Sequence, residues 1–134
     1  MSWCASAART NLSSDNVQIH RHDIQGEGAF RVAYGGTFIG GNRNQQDAVC
    51  KCFKNKYHVI EGEFFRNDYK IADRAIEFCD EWNRFCESKK EIMMTKGTVM
   101  KIGGKKYMVE PLIRYYRKYT SNNGWYDERG VSSV

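Results

Sequence analysis

Proline is scarce in this sequence: Pro111 stands alone among 134 residues, so the one place where it must interrupt backbone pairing carries weight. No apolar run approaches the length needed to cross a bilayer as a helix, which excludes a span of that kind. The opening residues, Met-Ser-Trp-Cys-Ala-Ser-Ala-Ala-Arg, lack both a basic start and an apolar stretch, so no secretory signal is read there. The five cysteines are an odd number, and none forms a Cys-x-x-Cys pair or stands near a histidine series with metal-ligand spacing. A disulfide framework and a zinc module are both disfavoured, and reduced thiols in the cytoplasm fit best.

What is present describes an ordered globular chain: eight tyrosines, seven phenylalanines, three tryptophans and 41% hydrophobic residues. The length suits one domain or part of one. The net charge of +5 is uneven, because residues 84–118 hold ten Lys or Arg against three acids, leaving −2 for the remainder. Such a stretch suits phosphate, acidic protein or nucleic acid, although a solvated basic face has the same composition.

The run Ala48-Val49-Cys50-Lys51-Cys52-Phe53 reads as a well-packed β-strand. Alternation puts Val49, Lys51 and Phe53 on one face and Ala48, Cys50 and Cys52 on the other. A lysine beside valine and phenylalanine needs either an escape route for its ammonium or an anion to meet it. The strand alone leaves both open: a snorkelling edge lysine, or a lysine holding phosphate beneath a nucleotide.

Around that strand the order is legible. Residues 1–16 read as a loose leader, 17–128 as the folded lobe and 129–134 as a tail. Strands are predicted over 17–24 and 30–38, the second interrupted by Gly35-Gly36, then a polar loop at 40–44 before the lysine strand. A helix is predicted over 67–87, capped by Asn67, with Asp68 suiting its positive end and Lys89-Lys90 its negative end. Its apolar arc of Ile71, Ala75, Phe78, Cys79, Trp82, Phe85 and Cys86 is expected to pack on a sheet as core. Two β-rich runs, 91–102 and 105–116, flank Gly103-Gly104, a hairpin signal. Pairing is expected to end at Glu110-Pro111. The fold class is α+β, in the order of a kinase amino-terminal lobe. Yet no His-Arg-Asp, Asp-Phe-Gly or Gly-x-Gly-x-x-Gly occurs, which excludes an ordinary protein kinase.

Four separated motifs point elsewhere. The segment Val109-Glu110-Pro111-Leu112-Ile113, continuing through Lys118-Tyr119 to Asn122-Asn123-Gly124, resembles the alpha-type protein kinases. These are the family of myosin heavy chain kinases, elongation factor kinases and channel-linked kinases. Gly28-Ala29-Phe30-Arg31-Val32-Ala33-Tyr34 looks like that family's Gly-x-Met-Arg-x-Ala-Tyr, and Ala48-Val49-Cys50-Lys51 like its Val-x-Lys strand. Ala72, Ala75 and Asn83 match its helix, with Trp82 where the family has phenylalanine.

The resemblance implies a curved antiparallel sheet packed on one main helix, with Lys51 meeting the α and β phosphates of ATP and Arg31 close by. Glu110 would open the hinge, and the backbone after it, at Leu112, would face adenine. The resemblance also implies transfer of the ATP γ-phosphate to a protein serine or threonine, with Mg²⁺ ligands and a structural zinc site in a second lobe. That lobe's Asp-x-Gln-Gly and Thr-Asp-Pro segments do not occur here, so the chain is expected to be incomplete and inactive alone. Arg114-Tyr115 stand where the family has its hinge glycine, Thr120 replaces an asparagine, and Asp127 and Glu128 match no motif. A severed hinge face around Leu112, Ile113 and Tyr116 is expected to self-associate. Two other readings stay open: a non-catalytic protein-binding module, and, ranked last, a nucleic-acid strip along Arg114-Tyr-Tyr-Arg117-Lys118-Tyr119.

Overall fold

The computed structural model describes residues 14–85, 91–92, 94–121 and 123–128. Five strands, β1 (Asn16–Glu27), β2 (Arg31–Ile39), β3 (Asp47–Phe53), β4 (Thr98–Ile102) and β5 (Lys105–Pro111), form one antiparallel sheet in the order β1-β2-β3-β5-β4. Between β3 and β4 lie a 3₁₀ turn (Asn55–Ile60) and the helix α1 (Glu61–Phe85). The α+β class holds. Most of the leader and all of the tail lie outside the described residues, but Asn16 opens β1 and Ser14 is already buried, its hydroxyl donating to the Gly40 carbonyl at 2.8 Å.

Alternation makes the sheet two-faced, and β3 shows how. Ala48, Cys50 and Cys52 join Val17, Phe38, Met100, Tyr107 and Val109 in the larger core. Phe53 turns to the other face and meets Phe65 of α1 and Met108 of β5. The sheet curls over its larger core. Arg21 on β1 donates to the Tyr107 hydroxyl on β5 at 2.8 Å, although β2 and β3 lie between those strands in the sheet. A register irregularity in β1 between His20 and Gly26 supplies the bend.

Three sequence expectations hold in detail. Gly103 and Gly104 take φ of 58° and 80°, as a two-residue hairpin turn requires, and β5 ends at Pro111. Cys50 and Cys52 are packed strand residues.

Three others are corrected. Gly35 and Gly36 do not interrupt β2; they pair in register with Val49 and Ala48. α1 starts at Glu61, so Asn67 is not its cap. Glu61 and Glu63 complement the helix's positive end, and Phe64 and Phe65 pack edge-on against Phe53, with ring centres 5.5 and 5.3 Å away. Those contacts anchor the first turns more firmly than the Asn67 cap signal could.

The apolar arc is not core. Ile71, Phe78, Trp82 and Phe85 are 65%, 56%, 47% and 81% exposed, and Phe65 is the buried apolar residue of α1. The core contacts of α1 come from its first turns, where Phe65 and Tyr69 pack with Phe53, Met108 and Val99, and the arc from Ile71 onward lies beyond them. Cys86 and the helix-end lysines Lys89 and Lys90 lie outside the described residues.

Candidate functional site

The pairing of β2 with β3 brings Arg31 and Lys51 together. Arg31 faces Phe53 and Ala33 faces Lys51, so both cations project from the α1 side of the sheet as diagonal neighbours. Glu110 arrives from the other flank of β3, facing Val49, and Lys51 Nζ lies 2.6 Å from Glu110 Oε1. Three of the four residues singled out from sequence therefore meet in one place. The fourth does not: one residue past the end of β5, the Leu112 backbone N–H donates to the Asp47 carbonyl at 3.0 Å.

Arg31 is held on two sides. Its Nη1 and Nη2 donate to the two carboxylate oxygens of Asp68 at 2.8 and 3.3 Å, and its guanidinium lies 4.5 Å from the centre of the buried Phe53 ring. Asp68 sits two turns into α1 and is the residue that fastens the helix to this cation. Sequence reading gave it only a helix-end role, since nothing in spacing links it to a partner 37 positions away.

Arg31, Lys51, Asp68, Tyr69, Thr95 and Glu110 line a cleft of about 210 Å³ between the sheet, α1 and residues 94–97. Two cations stand side by side in it, each flanked by its own carboxylate. Each pair is 22–39% exposed, so each is worth only about 0–1 kcal/mol and can yield a cation to a more strongly charged anion. Gly97 is the close-approach point of the wall: a Cβ there would lie 2.5 Å from Met108 Sδ and 2.9 Å from Glu110 Cγ. A wider hollow of about 520 Å³ is lined, among the described residues, by residues 124–128, none of which lines the cleft.

Beyond β5 two arginines are engaged by acids of the same chain. Arg114 pairs with Asp47 at 3.0 Å and Arg117 with Asp127 at 2.7 Å. Tyr115, at the position of the expected hinge glycine, has a φ of 57°, a left-handed conformation that glycine adopts freely.

The sequence model of the alpha-kinase family matches residues 26–133, a span that takes in Arg31, Lys51, Asp68, Glu110 and the walls of the cleft. Searches of curated proteins and of solved structures returned no match. No helix among the described residues is long and apolar enough to cross a membrane. With most of its length matched by one family, the chain belongs to the alpha-kinases.

Proposed function

We propose that this chain is the ATP-binding lobe of an atypical protein kinase, one that moves the γ-phosphoryl group of ATP to a serine or threonine hydroxyl of a protein once a second lobe completes the site. The observation that carries the reading is the convergence of Arg31 and Lys51 from neighbouring strands into one cleft, each oriented by a carboxylate. Fixed cations are what a polyphosphate needs, because charge-assisted contacts gain most when the donors are already aimed. The cleft is smaller than the roughly 300–1,000 Å³ of sites that enclose a drug-sized ligand. It suits the phosphates, with the rest of the nucleotide lying along the edge towards Glu110 and Leu112.

The residues present do not fit Mg²⁺ equally well. Among the described residues no three His, Cys, Asp or Glu stand together, and the two carboxylates of the cleft are committed to Arg31 and Lys51. The metal ligands and the base that takes the hydroxyl proton belong, on this reading, to the second lobe.

The free thiols of Cys50 and Cys52 are in keeping with a cytoplasmic setting, and Ile113 and Tyr116, 55% and 72% exposed, keep the hinge as a surface for self-association. The pairing of Arg114 and Arg117 with acids of this chain argues against the nucleic-acid strip. A titration of ¹⁵N-labelled chain with ATP tests the proposal. Saturable amide shifts are expected at Ala33, Lys51, Gly97 and Met108, with weaker ones for AMP. Shifts confined to residues 124–128, or none that saturate, would overturn it.

A further inference from the structure

We propose that Asn83, at the far end of α1, is a positioning residue for the nucleotide cleft, acting through the backbone that walls it; this rests on the nucleotide reading above. The Asn83 carboxamide satisfies both backbone groups of Ile92. Its Nδ2 donates to the Ile92 carbonyl at 2.9 Å, and its Oδ1 accepts from the Ile92 N–H at 2.9 Å. Further along, Lys96 Nζ lies 2.5 Å from Asp73 Oδ1 and 5.5 Å from the Tyr69 ring centre, and the Val99 N–H donates to the Tyr69 hydroxyl at 2.6 Å. The chain leaving α1 is thus tied back along the helix at three points.

Those points form one stripe. At 100° per residue Asp73 lies about 40° to one side of Tyr69 and Asn83 about 40° to the other. Tyr69 and Asn83 are about 21 Å apart along the helix axis, and seven residue steps reach at most about 23 Å. The Asn83 anchor, with those at Lys96 and Val99, therefore limits where residues 94–97 can lie.

These residues are the wall opposite Lys51 and Glu110. Gly97 passes so close to Met108 and Glu110 that an added methyl group would have to displace their side chains. A wall that shifts outward releases Glu110, and Glu110 in turn holds the Lys51 ammonium at 2.6 Å. Asn83 therefore reaches the phosphate-binding lysine through backbone, without touching the ligand.

The test is Asn83→Ala beside wild type in the full chain, read by ATP titration, amide hydrogen exchange and thermal melting. Exchange at Ile92 should rise at least tenfold, ATP affinity should fall about five- to tenfold, and exchange at the buried strand residue Val109 should stay as it was. Asn83→Asp keeps an acceptor for the Ile92 N–H and should fall between. If Asn83→Ala loses its dispersed spectrum, Asn83→Asp and Lys96→Met, which frees the same wall from Asp73, take its place. Unchanged ATP affinity with a freed Ile92 amide would overturn the positioning role while leaving the nucleotide reading intact. Affinity that falls only as Val109 protection falls would reduce Asn83 to a structural residue. A wild type without saturable ATP binding would overturn both readings.

Discussion

Two adjacent glycines in β2 make a sharp test of the sheet, because they face opposite ways. At Gly36 an added Cβ would lie 2.8 Å from the Gln18 backbone oxygen, 2.9 Å from Cys50 Sγ and 3.2 Å from Val17 Cγ2. A backbone oxygen in a paired strand cannot swing away, so Gly36→Ala must push β1 off β2 over the larger core. Overpacking of that kind costs about 1–3 kcal/mol, offset by about 0.4–1 kcal/mol from the stiffer unfolded chain. A net loss of about 1–2 kcal/mol is expected. At Gly35 the three atoms nearest an added Cβ all belong to the exposed Asp23 side chain, which can rotate at the cost of a solvent-exposed hydrogen bond from Gln25. Gly35→Ala should therefore stay within about 1 kcal/mol of wild type. Urea unfolding followed by tryptophan fluorescence, with unchanged slopes, gives both numbers. Cys50→Ala in the Gly36→Ala background should restore only part of the loss, since the Gln18 oxygen remains. Equal effects at the two glycines, or a larger one at Gly35, would refute the register and the facing assigned to β1 and β2.

Other outcomes follow from burial and strain. Trp82→Ala should cost under about 1 kcal/mol, because the ring is 47% exposed, whereas a buried aromatic loses about 3–5 kcal/mol; a melting point far below wild type would put α1 back on the sheet. Burial, with Cys52 beside it, pushes the Cys50 thiol up to about 12, so the folded chain favours the neutral form. That contribution is complete below the unfolded thiol's pKa, about 8.5, and is lost as pH rises towards 12; Cys50→Ala should flatten the alkaline limb of the stability profile, and an unchanged limb would contradict the burial. Tyr115→Gly should raise stability by up to about 1 kcal/mol, since its left-handed φ is strained and its ring is 98% exposed; a loss would mean that the ring makes contacts after all.

The parts of the fold legible in the sequence are those set by neighbours a few residues apart. Alternation around Lys51 gave both faces of β3, the paired glycines gave the β4–β5 hairpin, and Pro111 gave the end of β5. The helix start was not legible, because it depends on Phe64 and Phe65 meeting Phe53 across the fold. Periodicity showed that α1 has an apolar stripe, but it carries no information on whether a sheet covers it. The candidate site divides the same way. Arg31, Lys51, Asn83 and Glu110 lie in motifs that local sequence marks, whereas Asp68 does not, and the partners of Asp68 and Asn83 are ones that only the folded chain brings near.

The central claim is that Lys51 holds nucleotide phosphate, and the affinity of ATP for wild type and Lys51→Met, measured by NMR shift titration, tests it most directly. A charge-assisted contact is worth about 1.5–3 kcal/mol, so Lys51→Met should bind roughly 10- to 150-fold more weakly. Apo stability should move by no more than about 1 kcal/mol, since the Lys51–Glu110 pair is partly exposed. ATP shifts and affinity equal in wild type and Lys51→Met would contradict the claim, leaving Lys51 a strand lysine paired with Glu110 and nothing more.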